Sequence, residues 1–391
     1  MPSHSDSQTG RPRDYHGVPL LAPDHQALVA LERQIGEALP LLSGSAPDDF
    51  GYASCDRRVT VLRVNERGLA ALPANIGQLG ALHFLSASNN ALSTLPDGFG
   101  RLSHLRELYL YGNRLSALPV TFAGLAALER LDIEHNHLSA LPESLGSLPR
   151  LEILWANHNA LTALPQGIGG LSALRELYLY DNRLAGLPES IGRLRKLSLL
   201  DLKANALTAL PSSIGDLSEL RQLNLWSNRL SLLPDELWSL RNLQVLNLRS
   251  NCLVQLPAGI GRLTALRELY LDSNRLTSLP VDIANLSELQ TLKLNGNELE
   301  SLPDGIAGLV ALRKLWLKDN RLRCIPEALC GLAQLAQLDL QLNRIACLPE
   351  AFGELPSLQA LWLDRNAFDI ARVGESAAIR RLRRRGCRIS L

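Results

Sequence analysis

The chain has 391 residues, 20% charged and 46% hydrophobic, and its 40 basic and 39 acidic residues leave a net charge of +1. That balance excludes the strong overall field by which a basic protein draws in nucleic acid or an anionic membrane. No apolar run approaches the ~18 residues of a membrane helix, and the six scattered cysteines (Cys55, Cys252, Cys324, Cys330, Cys347 and Cys387) suit free thiols in a reducing compartment.

Residues 1–22 are rich in Ser, Pro and Gly, lack the basic-then-apolar order of a signal peptide, and are expected to be disordered. Pro23 and Asp24 then read as a helix start, with Leu28, Leu31, Ile35 and Leu39 on one face. Residues 23–58 are therefore expected to form an N-terminal helical cap, the helix ending at Pro40 and the Ser/Gly-rich stretch behind it.

From residue 59 the sequence repeats. Asn stands at Asn90, Asn113, Asn136, Asn159, Asn182, Asn205, Asn228, Asn251, Asn274, Asn297, Asn320, Asn343 and Asn366, every step being 23 residues. The unit is LxxLxLxxNxLxxLPxxIxxLxx, and thirteen of the 21 prolines, Pro73 to Pro349, fill its Pro slot. A further unit begins at Val59 with Arg67 in the Asn slot, which marks it as an edge repeat and gives fourteen repeats over 59–370. In x-L-x-L-x the leucines face one way and the x residues the other, as in a strand. The Asn amide can both donate to and accept from the backbone where the chain turns. Leu-Pro starts an extended return segment, and the remainder is long enough only for a 3₁₀ turn or one to two helical turns. Ala87 and Ala156 stand where strand leucines are expected. The unit therefore predicts an α/β solenoid, with a parallel β-ladder on one face and short 3₁₀ or helical segments on the other.

This consensus, matched from Val59 to Phe368, resembles the leucine-rich-repeat family, and within it the 23-residue class typified by Ras-suppressor scaffolds. Similar arrays occur in plant and bacterial proteins, secreted effectors among them. The resemblance implies a leucine-rich-repeat horseshoe whose concave face carries the ladder and binds another protein.

After Asn366 the Leu-Pro slot is lost, and Phe368, Asp369 and Ile370 begin something different. Residues 371–391 are expected to form a C-terminal cap: a helix from Glu375 to Arg385 with Ile379 and Leu382 inward, a stop at Gly386, and Cys387 to Ile389 available as a last strand. The basic run Arg380, Arg381, Arg383, Arg384 and Arg385 reads as a solvated cap face at a helix C-terminus rather than an anion patch.

Two outward columns follow by counting back from the Asn. The first holds Tyr109, Asp132, Trp155, Tyr178, Tyr270, Trp316 and Trp362, and the second Tyr111, Glu134, Tyr180, Trp226 and Arg249. Together they contain five of the seven tyrosines and four of the five tryptophans. Aromatics beside charges are the composition of interface hot spots. Thirteen steps at ~4.8 Å span ~60 Å, a scale for a protein surface rather than a small molecule. His135 and His158, with Asp181, occupy one slot in successive repeats; two imidazoles and a carboxylate can bind a metal, but a straight surface row lacks a supporting shell, and polar contact with a partner is expected instead.

The sequence has no GxxxxGK[ST] loop and no GxSxG elbow, and too few residues follow Asn366 for a further catalytic domain. The expected function is a non-enzymatic scaffold or adaptor in signal transduction: monomeric, cytoplasmic, without cofactor or metal, binding a protein and not nucleic acid. The alternatives are a bacterial effector that acts in a host cell by binding host proteins or recruiting ubiquitination, and a metal-dependent enzyme using the His row.

Overall fold

The structure, a computed structural model, describes residues 12–44, 49–368, 373–374 and 376–391. It divides into two compact units, Met1–Lys196 and Leu197–Leu391.

The first unit opens with an antiparallel hairpin, β1 (Pro12–Tyr15) and β2 (Val18–Leu21), where disorder was expected through residue 22. His16 and Gly17 at φ 48° and 86° supply the two left-handed residues of a two-residue turn. The hairpin buries Leu20 completely and Tyr15 to 3% exposure. The Tyr15 ring packs edge-on to His25 and Tyr52, at 5.7 and 5.4 Å. A polar-looking composition hid this short apolar contact set. The rest of that expectation, residues 1–11, lies outside the described residues.

Helix α1 (Ala22–Ile35) has Pro in its first turn and ends at Gly36, whose φ of 83° lets its N–H reach Glu32 O at 2.7 Å. It buries Leu28 and Leu31, and Leu39 just beyond it is also buried. Next comes β3 (Gly51–Cys55), antiparallel to β4 (Arg58–Arg63), so the ladder is not parallel at this edge. Parallel strands of three residues follow: β5 (Phe84–Ser86), β6 (Glu107–Tyr109), β7 (Arg130–Asp132), β8 (Ile153–Trp155) and β9 (Glu176–Tyr178). Their register sets Leu108, Leu131, Leu154 and Leu177 side by side, all with no exposed surface.

The second unit repeats the pattern in β10 (Leu199–Asp201), β11 (Gln222–Asn224), β12 (Val245–Asn247), β13 (Glu268–Tyr270), β14 (Thr291–Lys293), β15 (Lys314–Trp316), β16 (Gln337–Asp339) and β17 (Ala360–Trp362). Helix α2 (Ala377–Arg384) follows, capped by Ser376, whose hydroxyl accepts the Ile379 N–H, and it buries Ile379 and Leu382. Its Arg381 pairs with Glu354, and Arg385 donates to Gly353 O. Strand β18 (Arg388–Ser390) pairs parallel with β17. Glu375, Asp369 and Ile370 lie outside the described residues.

On the return side the segment after each Pro forms a 3₁₀ turn, such as Val120–Gly124, whose Phe122 N–H bonds Pro119 O at 3.0 Å. Successive turns stack closely: a Cβ on Gly146 would lie 1.8 Å from Gly167 O. The Asn column closes each strand. Asn251 is representative: its Oδ1 accepts Leu230 N–H at 3.0 Å, and its Nδ2 donates to Leu225 O of the preceding repeat and Leu248 O of its own, at 2.9 and 3.0 Å. The residue before the Asn slot is left-handed in every repeat from Glu66 to Arg365, with φ between 51° and 66°. That backbone lets the chain leave the strand while its N–H still pairs forward, as His135 does with Asn157 O at 3.1 Å.

Candidate protein-binding face

In the first unit the strand register aligns Arg63, Ser86, Tyr109, Asp132, Trp155 and Tyr178 in one column. These aromatics are half-buried rather than fully exposed, because they lie on one another and on their neighbours. Trp155 and Tyr178 stack at 6.2 Å, and Tyr109 leans the other way onto Phe84 at 5.5 Å. Tyr109 and Tyr178 each donate their hydroxyl to the Glu two residues earlier, Glu107 and Glu176, at 2.8 Å. Burial, reinforced by the Glu107 carboxylate, pushes the Tyr109 hydroxyl up to about 12. The Glu partners were not singled out from sequence, although the repeated Glu-Leu-Tyr triplet places donor and acceptor on one face.

Asp132 is bound into the sheet: its Oδ1 accepts Glu134 N–H at 3.0 Å. Burial raises its carboxyl to about 6 against that N–H, and the nearby Glu134 carboxylate adds to the rise. Asp201, Asn224, Asn247 and Asp339 hold the N–H two residues on in the same way in the second unit. Glu134 itself accepts from Asn157, which is 1% exposed and whose Oδ1 takes Tyr180 N–H at 2.7 Å.

The His row forms a stack, not a cage. The His135 and His158 rings lie 4.0 Å apart at 23°, flanked edge-on by Tyr111 (4.9 Å) and Tyr180 (4.7 Å). His158 Nδ1 meets Asp181 Oδ2 at 2.6 Å. Burial and the neighbouring His158 hold His135 below the usual imidazole range. Among the described residues no group of three or more His, Cys, Asp or Glu side chains is arranged to hold a metal ion.

The second unit places cations over its rings. Lys203 Nζ lies 4.2 Å from the centre of the Trp226 ring and the Arg249 guanidinium 5.0 Å from it. Lys293 Nζ sits between Tyr270 and Trp316, at 5.2 and 5.5 Å. Trp316 also stacks on Trp362 at 5.9 Å, although the strand bearing Asp339 runs between them. Tyr270 donates to Glu268, and burial with that bond pushes its hydroxyl up to about 12.

The profile of the leucine-rich repeat region matches residues 97–183 and 213–294, and a second leucine-rich-repeat profile matches 172–230. A leucine-rich-repeat protein of Leptospira interrogans is 36% identical, with a TM-score of 0.78 over 85% of this chain and 84% of that one. The chain belongs to the leucine-rich-repeat family and has its solenoid fold. The narrower likeness to Ras-suppressor scaffolds rests on the repeat consensus alone. Structures of the PEPR1–AtPEP1 complex (31% identity, TM-score 0.70) and of the plant peptide hormone receptor RGFR1 with RGF2 (28%, 0.54) are also similar, and the chain spans only 56% and 63% of their lengths. No curated protein matches the chain. The leucine-rich-repeat fold generally mediates protein–protein interaction, and proteins of this kind are typically non-enzymatic. No helix among the described residues is long and apolar enough to cross a membrane.

Proposed function

We propose that the chain is a monomeric scaffold or adaptor whose repeat array, 59–370 between caps at 23–58 and 371–391, binds a partner protein on the ladder face. The carrying observation is the concentration of Tyr and Trp in two outward columns, set side by side within each unit by strand register. Rings pre-ordered by stacking lose little freedom on binding, which favours them as anchors. The similarity to the plant peptide hormone receptor RGFR1 in complex with RGF2 supports a polypeptide as the ligand. A cytoplasmic setting suits the exposed thiols of Cys55, Cys324 and Cys347. The test is affinity capture from the native organism with Trp155→Ala/Tyr178→Ala. Central aromatic anchors commonly cost ~2 kcal/mol or more when truncated, roughly thirtyfold in affinity. The double variant should lose its partner, and Val120→Ser, at a residue 74% exposed on the return side, should keep it. Full capture by the double variant would move binding off this face.

A further inference from the structure

We infer that the ladder face of the second unit is a site for an acidic, extended polypeptide segment, an inference that rests on the ladder-face reading above. A pocket of about 320 Å³ opens on this face, its wall including the cations Arg249, Lys293 and Lys318, the ring of Trp316, and the acids Asp272 and Asp319. Among the described residues none of its three cations forms an ion pair. Arg249 and Lys293 instead lie on ring faces, which orders them without neutralising them. Asp272, 6% exposed, accepts the Asn295 N–H on its Oδ1 at 3.0 Å, so its carboxylate is engaged by the backbone and makes no ion pair with Arg249 or Lys293. The Trp316 Nε1–H, beside the pocket, is buried without an acceptor among the described residues.

The spacing selects the shape of the ligand. Lys203 and Arg249 lie two residues past the ends of β10 and β12, and Lys293 ends β14, so the three cations belong to alternate repeats. Alternate strands are ~10 Å apart, close to one three-residue turn of an extended polyproline-II segment at ~3.1 Å per residue, which returns every third side chain to the same face. A segment lying across the strands with an acidic residue at every third position meets each cation in turn. A nucleic-acid strand fits less well, because its continuous phosphates could not skip the exposed Asp319 at the pocket wall, whereas a peptide can place an uncharged residue there.

The test uses the full chain and three fluorescent probes: a twelve-residue peptide with glutamate at every third position, its glutamine counterpart, and a twelve-nucleotide oligouridylate. The glutamate peptide should bind, weaken as salt rises, and weaken at least tenfold in Arg249→Glu/Lys293→Glu. The milder Lys293→Gln/Lys318→Gln, which keeps the stems and the fold, should also weaken it, with an unchanged melting temperature. No binding by the glutamate peptide, or tighter binding by oligouridylate, overturns the inference. Equal binding of the glutamine peptide, abolished by Trp316→Ala, removes only the acidic preference and leaves the ladder-face reading standing. Glutamate-peptide binding that ignores both charge variants and Trp316→Ala removes both.

Discussion

The carboxylate of Asp24, in the first turn of α1, accepts the backbone N–H of Val59 at 2.7 Å with no exposed surface of its own. Its other oxygen meets Arg58 Nε at 3.0 Å. One side chain thus fixes the N-terminal helix to the strand that begins the array. From sequence Asp24 reads as an ordinary helix-start acid; the contact spans 35 residues.

Asp24→Ala leaves the Val59 N–H enclosed without an acceptor and Arg58 with only the Gln78 carbonyl. The expected cost is ~2–4 kcal/mol by urea denaturation, with faster hydrogen exchange at Val59. Asp24→Asn keeps one acceptor and should cost less. Equal losses in the two variants would remove the hydrogen bond from this account.

Asn251→Ala should cost ~1–3 kcal/mol, because Leu230 N–H loses its acceptor and the carbonyls of Leu225 and Leu248 each lose one of two amide donors, keeping those of Asn228 and Asn274. Asn251→Asp is the sharper comparison. It keeps the acceptor but turns a carboxylate toward two carbonyls, so it should be at least as damaging as Ala at neutral pH. An Asp variant as stable as the wild type would show that the two donated bonds contribute nothing.

Leu342 occupies the left-handed position of its repeat at φ 54°, where other repeats place Gly112 and Gly296. Side chains with a Cβ are disfavoured there. Leu342→Gly should therefore raise the unfolding free energy, by ~0.5–1 kcal/mol. Gly112→Ala should lower it, more than Gly296→Ala does: a Cβ on Gly112 would lie 2.4 Å from Asn89 Oδ1, whereas nothing comes within 3.7 Å of one on Gly296. A destabilised Leu342→Gly variant would mean that the leucine packs more strongly than its backbone is strained.

Asp132 supplies a pH dependence. Its folded value of about 6 lies above the ordinary 3.8. The folded state therefore favours the protonated form, and the stability this gives is full below pH ~4 and lost as pH rises through ~6. Asp132→Asn keeps the acceptor for Glu134 N–H, as Asn224 and Asn247 do for Trp226 and Arg249. The variant should be more stable than the wild type at pH 7, by on the order of 1–2 kcal/mol, and the difference should vanish by pH 4. A constant difference across that range would place the effect elsewhere.

Much of the array was legible in sequence because a repeat states its own geometry. The 23-residue step, the period-two leucines and the Asn slot specify which residues face inward, and the parallel pairings from β4 to β9 and from β10 to β17 obey that count. The left-handed position before each Asn was visible only as a column rich in Gly, Asn, Asp, His and Ser, and Leu342 and Arg365 obscured it. The hairpin at residues 12–21 was missed because its stabilising contacts, Tyr15 on Tyr52 and His25, come from other segments.

Sequence by itself determined the solenoid and the membership of its two outward columns, since both follow from a local period that neighbouring repeats enforce by stacking. Only the tertiary structure decided what each column member does. Asp132 serves the backbone, Trp155 lies on Tyr178, and Lys293 sits between two rings. These roles depend on side-chain rotamers and on the residue one repeat away, and so on distances across the ladder that no count along the chain contains.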